Sequence, residues 1–130
     1  MAAKTPQWIC SLFKRYMAAG DLDSVLGLYD EEAVFLNQSG EAKRSRQGLR
    51  EELAPFAAEK ARFEFKVRQV IQSGDIALMH TDWKVSSLNH QASLRAIEVA
   101  RRQPDGTWRW LIGDSYSISR RLALQIAVAA

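Results

Sequence analysis

The chain is short of cysteine and of long apolar runs, and each shortage removes a class of protein. Its one cysteine, Cys10, excludes an intramolecular disulfide and argues against cysteine-based metal sites. No apolar run approaches the roughly 18 residues of a membrane span. The opening residues MAAKTPQW also lack the apolar core of a secretion signal. The sequence therefore predicts a cytoplasmic protein with no membrane partner.

Neither sign of charge is in large excess, and this balance bears on the possible partners. The 18 Lys and Arg residues nearly balance the 15 Asp and Glu residues, for a net charge of +3. The arginines are spread over 44–50, 101–102 and 120–121, with no basic stripe interleaved with aromatics. This distribution does not favour a nucleic-acid partner. With 130 residues, 47% of them hydrophobic, the chain can form one soluble domain with a real core.

Helical patterns occupy the first half of the chain. Thr5 can cap a first helix with Pro6 at its first position, and Gly20 ends it. Asp21 starts a shorter second helix, and a third surrounds Pro55, which either starts a new turn or kinks it. The apolar positions that define the three helices are Trp8, Ile9, Leu12, Phe13, Tyr16, Met17, Leu22, Val25, Leu26, Tyr29, Leu49, Leu53 and Phe56.

The second half of the chain is predicted to be strands. After a short strand at 33–37, RFEFKVRQVIQ alternates from Phe63 to Val67 and slips at Arg68–Gln69, which indicates a bulge. IALMHTDWKVSSL is a long strand, and two further strands flank the turn QPDG. Helices followed by a strand meander predict an α+β domain over 1–117, with one strongly curved antiparallel sheet packed on N-terminal helices. Residues 118–130 form an apolar tail that could lie at an interface.

Several segments together resemble a known superfamily. They are AAGDLDSVLGLYDEEAVFLN, RQGLREEL, SGDIALMHTDW and EVARRQPDGTWRWLIGD. In this order and spacing they resemble the nuclear transport factor 2-like superfamily, in its SnoaL-like and ketosteroid-isomerase-like branch. The resemblance implies a cone-shaped domain whose helices close one side of a bent sheet around a deep pocket. It also implies a homodimer through the outer sheet face. The resemblance does not imply one reaction, because isomerases, cyclases, dehydratases, hydrolases and non-enzymatic modules all share this fold.

The ketosteroid isomerase mechanism pairs an aspartate base with a tyrosine and a protonated aspartate, and the resemblance carries over only part of it. The base position, after EEAVFL, is Asn37, whose amide cannot abstract a proton. The tyrosine position is Phe13, with Tyr16 one turn further along. Glu98, eight residues before Gly106, keeps the third carboxyl group. Steroid isomerisation by that route is therefore not expected.

The direction of the side chains decides which residues can form a pocket. If Gln103 and Gly106 flank the turn, Glu98 lies opposite Leu111, among small residues. The resemblance places this face inside, together with Leu78, His80 and Asp82 of the preceding strand. The opposite face would then be the apolar dimer interface, formed by Met79, Trp83, Val85, Val99, Trp110 and Ile112.

These faces predict one candidate site. His80, Asp82 and Glu98 are the predicted catalytic residues, because Asp82 can orient the imidazole and a desolvated Glu98 can hold a proton. The predicted reaction is proton transfer, without cofactor or metal, as in an isomerase, cyclase or lyase. Its substrate would be a small apolar carbonyl or hydroxyl compound, such as a polyketide-like or steroid-like ligand. The predicted substrate-binding residues are Phe13, Tyr16, Phe35, Asn37, Phe56, Leu111 and Ser115, with Leu53 as a further wall.

Structural roles are open for each of these catalytic candidates. Glu98 could form an ion pair with Arg109 or Arg95, and Asp82 could lie beside Lys84 on a solvated strand edge. His80 could be a structural or rim histidine. The corresponding alternative function is a non-catalytic ligand-binding or protein-assembly module of the same fold.

Overall fold

The structure is a computed structural model and describes residues 2–119, so most of the predicted tail lies outside the described residues. Three helices come from the first half of the chain: α1 (Pro6–Ala18), α2 (Leu22–Leu26) and α3 (Arg46–Ala58). Each begins at a side-chain cap, because Thr5, Asp21 and Ser45 accept hydrogen bonds from backbone N–H groups three residues further on. Pro55 lies within α3, which continues to Ala58.

Six strands form one sheet. They are β1 (Tyr29–Leu36), β2 (Ala42–Lys43), β3 (Arg62–Ser73), β4 (Ile76–Ser86), β5 (Gln91–Arg102) and β6 (Trp108–Asp114), in the order β2-β1-β6-β5-β4-β3. The predicted α+β class and the bulge after Val67 are confirmed. The sheet is not wholly antiparallel as predicted, because β1 pairs in parallel with β6, and β1 begins four residues earlier than predicted.

The hairpin of β5 and β6 differs from its predicted register, and two local features explain the difference. Its loop has three residues, since the N–H of Gln103 bonds to the carbonyl of Thr107 and Gly106 adopts a positive φ of 85°. The register then shifts again where Leu111 is inserted as a bulge. As a result Glu98 lies opposite Gly113, and not opposite Leu111.

Because of the bulge, the inward-facing residues of β6 have even numbers before Leu111 and odd numbers after it. Before it, Trp108 and Trp110 point into the core; after it, Gly113 faces the interior opposite Glu98. The predicted placement of Trp110 on the outer face is therefore wrong, whereas the inward direction of Glu98 is as expected.

The side chains of β4 also point in the direction opposite to the prediction. Met79 pairs with Glu98 in the β4–β5 ladder, so it shares the inner face with that residue. Its inward neighbours at a spacing of two are Ala77, Thr81, Trp83 and Val85, all of them buried. They pack with Ile9, Leu12, Phe13 and Met17 of α1 in the hydrophobic core.

Candidate functional site

A cavity of about 610 Å³ lies between α3, the inner face of the sheet and residues 115–119. Its walls are mostly aromatic or aliphatic, whereas polar side chains are gathered near the loops. Such a combination is typical of a small-molecule site. The lining residues used below are Phe13, Phe35, Leu53, Phe56, Trp83, His90, Glu98, Trp110, Gly113, Ser115 and Tyr116.

Glu98 is the carboxyl group of this cavity, and it is only 6% exposed. The hydroxyl of Thr81 donates to its Oε1 at 2.7 Å, and the indole N–H of Trp83 donates to its Oε2 at 3.0 Å. Both donors lie on β4, so the β4–β5 register holds the carboxyl group in place. Its hydrogen bonds therefore replace the ion pair with Arg109 or Arg95 that the sequence left open.

Burial changes the acidity of Glu98. Desolvation raises its pKa from 4.5 to about 7, although the hydrogen bonds from Thr81 and Trp83 act in the opposite direction. A carboxyl group with such a pKa populates both protonation states near neutral pH, as a general acid or base requires. The same negative charge contributes to the raised pKa of Tyr29, after burial, which is the larger cause. The cavity thus contains one group suited to proton transfer.

Aromatic rings surround this carboxyl group. The ring centroid of Phe13 lies 5.4 Å from that of Trp83 and 5.3 Å from that of Trp110, in edge-to-face arrangements. The indole N–H of Trp110 is buried and is the only buried side-chain nitrogen or oxygen within residues 2–119 without a hydrogen-bond partner. The apolar surroundings explain why the desolvation of Glu98 outweighs its hydrogen bonds.

Five of the predicted site residues line this cavity. They are Glu98, Phe13, Phe35, Phe56 and Ser115, and the further wall residue Leu53 joins them. Their lining positions agree with the predicted pocket, while their functional roles stay predictions.

Three predicted substrate-binding residues are not part of the cavity wall. Tyr16 packs against the core from α1, and Leu111 is the inserted residue of the β6 bulge. Asn37 organises the turn after β1: its Oδ1 accepts the N–H groups of Ser39 and Glu41, and its amide donates to Glu41 and Glu52. An amide engaged in this way serves the local fold.

The predicted convergence of His80 and Asp82 with Glu98 is wrong. Both residues alternate with the inward side chains of β4, so they lie on the outer face of the sheet. His80 is exposed, and Asp82 pairs with Arg68 at 2.6 Å from the neighbouring strand. A role in the cavity therefore does not follow for either residue.

A histidine that the sequence patterns did not single out lies at the mouth of the cavity. His90 lies in the loop between β4 and β5 and lines the cavity next to Phe56, with ring centroids 4.6 Å apart. Its Nδ1 is 2.8 Å from Oε2 of Glu59, the residue that follows α3. The only sequence signal was its place in a polar loop between two strands, where ligand-contacting residues are common.

Two searches over the described residues bear on metal and membrane partners. Within residues 2–119, no group of three or more His, Cys, Asp or Glu side chains could hold a metal ion. In the same part of the chain, no helix has the length and apolar character needed to span a bilayer.

Comparison with known families identifies the class to which this domain belongs. The model of the SnoaL-like domain family matches residues 12–111, which is most of the chain. The chain therefore belongs to the SnoaL-like domain family, as the sequence resemblance indicated. No curated protein matches it significantly.

Solved structures share the fold at low sequence identity. One from Thiobacillus denitrificans, provisionally described as an association domain of calcium/calmodulin-dependent protein kinase type II, has a TM-score of 0.74 at 17% identity, covering 89% of this chain and 97% of that one. Another structure comes from Streptomyces avermitilis and is provisionally described as a dehydratase of the NTF2-like family. It has a TM-score of 0.64 at 18% identity, and the match covers 82% of this chain and 88% of that one. A ketosteroid isomerase-like protein from Erwinia carotovora has a TM-score of 0.61 at 14% identity, with the same coverage. These likenesses establish the NTF2-like fold alone.

Proposed function

We propose that this protein binds a small, largely apolar molecule in the cavity and that Glu98 exchanges a proton with it. The observation that carries the proposal is the buried Glu98 carboxyl group, with a pKa of about 7, in the wall of an aromatic cavity. The ligand class is a flat or alicyclic compound with a carbonyl or hydroxyl group that reaches Glu98.

The proposed chemistry starts from the charged form of Glu98 and passes through its protonated form. Its carboxylate removes a proton from the carbon next to the ligand's carbonyl group, and the C–H electron pair moves into an enolate. Glu98 then returns the proton to the same carbon or to a different one, so the group is regenerated. The similarity to structures described as a dehydratase and as ketosteroid isomerase-like supports chemistry of this kind.

A model ketone can test the proposal without knowledge of the natural substrate. 2-Tetralone is a bicyclic ketone with exchangeable α-protons, and NMR in D₂O follows their replacement by deuterium. We expect the wild type to accelerate this exchange, with a rate that rises as Glu98 loses its proton near pH 7. Glu98→Gln should reduce the acceleration by at least about 100-fold, in line with the loss of a general base.

The matched control is Glu64→Gln, which makes the same change on β3 at a residue that pairs with Lys14 and does not line the cavity. It should leave the exchange rate unchanged. Equal rates in the wild type and in Glu98→Gln would overturn the proton-transfer proposal. Binding of 2-tetralone without any accelerated exchange would favour the non-catalytic ligand-binding module.

We also propose that the outer sheet face pairs with a second copy of the chain. Cross-strand pairing aligns five aliphatic residues in one row across β3, β4, β5, β6 and β1, which spans about 19 Å at 4.8 Å per strand. Ile71 at one end is 51% exposed, and Ile112 in β6 is 47% exposed. A row of this kind is unusual on a surface in contact with water. Its members are Ile71, Leu78, Val99, Ile112 and Val34.

The side chains on either side of this aliphatic row carry both signs of charge. Arg101 and Arg109 pair on one side of the row, and Asp114 lies on the other side, opposite Ile97. A copy rotated by 180° would bring residues of opposite sign together while the two rows pack on each other. The aliphatic row and the flanking charges are the features that support the proposed twofold homodimer.

A further inference from the structure

A second polar group borders the cavity and takes no part in the proton transfer proposed above. His90 lies at the mouth, in the tight loop 87–90, where the N–H of Ser87 bonds to the carbonyl of His90 at 2.8 Å. The loop joins β4 to β5, so His90 is at the outer end of the strand that carries Glu98.

Glu59 holds this histidine from the end of α3. Its Oε2 lies 2.8 Å from Nδ1 of His90, and its Oε1 accepts the N–H of Asn89 at 2.9 Å and the hydroxyl of Ser87 at 3.3 Å. The Glu59 side chain is only 17% exposed. Partial burial alone would raise its pKa, but these hydrogen bonds and the His90 ring keep the pKa below its ordinary value. Glu59 is therefore a fixed carboxylate.

The contact between the Glu59 carboxylate and Nδ1 determines which ring nitrogen of His90 can accept a hydrogen bond from a ligand. Nδ1 must carry a hydrogen to donate to Glu59, so in the neutral imidazole Nε2 is the acceptor. Within residues 2–119, no hydrogen bond is formed by Nε2. The ring also packs on Phe56, a wall of the cavity, which restricts its rotation. Nε2 is thus an oriented acceptor at the cavity mouth.

The Nε2 acceptor of His90 and the Glu98 carboxyl group lie at different positions along the direction of β5. The two residues are eight positions apart, which corresponds to at most about 26 Å of extended chain at 3.3 Å per residue. Both residues line one cavity, His90 from the loop before β5 and Glu98 from the middle of that strand. They can contact opposite ends of one elongated ligand.

We propose that His90, oriented by Glu59, is a specificity-determining residue whose Nε2 accepts a hydrogen bond from a hydroxyl group at the outer end of the ligand. This inference rests on the ligand-binding cavity of the proposed function. It narrows the ligand class to elongated, largely apolar molecules with a carbonyl or hydroxyl group at the Glu98 end and a hydroxyl group at the other.

Two fluorescent stilbenes test this assignment. 4,4′-Dihydroxystilbene has a hydroxyl donor at each end, whereas 4-hydroxy-4′-methoxystilbene has only an acceptor at its second end. We expect the wild type to bind the dihydroxy compound about 10-fold more tightly: a factor of about 5 comes from one neutral hydrogen bond, and a factor of about 2 comes from the two equivalent orientations of the symmetric ligand. The dissociation constants are measured by titration of stilbene fluorescence.

The informative variant is His90→Asn, because its amide can still donate to Glu59 but lacks an acceptor at the position of Nε2. It should lower the preference for the dihydroxy compound to the 2-fold statistical advantage of a symmetric ligand. His80→Asn makes the same change on the outer face and should retain the wild-type preference. Glu59→Gln should reduce the preference and change the imidazole tautomer, which ¹⁵N NMR of the ring reports.

The possible failures are distinguishable. A preference that is absent in the wild type, or unchanged in His90→Asn, overturns the role of His90 and leaves proton transfer by Glu98 intact. Failure of both stilbenes to bind overturns the elongated ligand class inferred here. Accelerated exchange of 2-tetralone in that case would still support proton transfer by Glu98.

Discussion

The buried carboxyl group of Glu98 should give this protein an unusual dependence of stability on pH. Its ordinary pKa of 4.5 applies to the unfolded chain, whereas desolvation raises the pKa to about 7 in the folded state. Between these two values the folded state binds a proton that the unfolded state has lost. The free energy of unfolding must therefore fall as pH rises through this window. The contribution of Glu98 is fully present below about pH 4.5 and is lost above about pH 7.

The size of the effect follows from the two pKa values. They differ by about 2.5, and each pKa unit corresponds to about 1.4 kcal/mol, so the full loss is about 3 kcal/mol. No discount for solvent screening is needed, since Glu98 is 6% exposed. For a domain of this size, 3 kcal/mol is a large share of the total stability.

Glu98→Gln isolates this contribution. Glutamine is neutral at every pH, and its amide can accept from the indole N–H of Trp83 and donate to the hydroxyl of Thr81. We expect the variant to be close to the wild type at pH 5 and more stable by about 3 kcal/mol at pH 8. Urea unfolding at a fixed protein concentration, followed by tryptophan fluorescence, measures both proteins at intervals between pH 5 and pH 8.

Subtracting the unfolding free energies of the two proteins at each pH removes the titration of all groups that they share, including both histidines. Parallel curves of unfolding free energy against pH would refute the raised pKa of Glu98. A variant less stable than the wild type at pH 8 would show that the hydrogen bonds outweigh desolvation. Glu64→Gln loses the ion pairs with Lys14 and Arg62, but those partners keep the pKa of Glu64 below its ordinary value, so its curve should run parallel to the wild-type curve between pH 5 and pH 8.

Two further predictions concern the buried Asp30 carboxylate and the outer face of the sheet. The Asp30 side chain is 3% exposed and accepts hydrogen bonds from Arg101 at 2.7 and 3.0 Å and from Gln103 at 2.8 Å. Burial acts to raise its pKa, but these donors lower the pKa from 3.8 to about 2, so its stabilisation is present above about pH 4 and lost as pH falls through 2. Asp30→Asn should therefore lower the free energy of unfolding by about 2 kcal/mol at pH 7 and by progressively less towards pH 2, as measured by urea unfolding. A difference that stays constant with pH would contradict this. On the outer face, Ile112→Arg should convert the expected dimer to a monomer in analytical ultracentrifugation, whereas Leu88→Arg, in the exposed β4–β5 loop, should not. A wild-type monomer at micromolar concentration would exclude the dimer.

Local signals predicted most of the elements correctly. Thr5, Asp21 and the polar loop before α3 carry the chemistry of helix starts, and the structure uses Thr5 and Asp21 as caps. The slip at Arg68–Gln69 appears as a bulge, because a break in alternation within one strand is visible in the sequence itself. Features that depend on neighbouring residues were therefore accessible.

Features that depend on distant strands were not accessible. The three-residue loop and the Leu111 bulge each move the pairing of β6 by one residue, and together they bring both Glu98 and Trp110 inside. For β4, the alternation of Met79, Thr81 and Trp83 did indicate the buried face. The resemblance implied the opposite face, with Leu78, His80 and Asp82 inside, and the structure shows that the apolar alternation was the better guide.

By itself, the sequence determined the α+β order of elements and the family, because local propensity and spacing encode these features, whereas the inward direction of the carboxyl group at position 98 was implied by the resemblance alone. Only the tertiary structure decided which residues surround that carboxyl group. Glu59 and His90 are 31 positions apart and meet only because α3 packs beside the β4–β5 loop. Register and helix packing are set by the summed burial of many side chains, and no short segment records that sum.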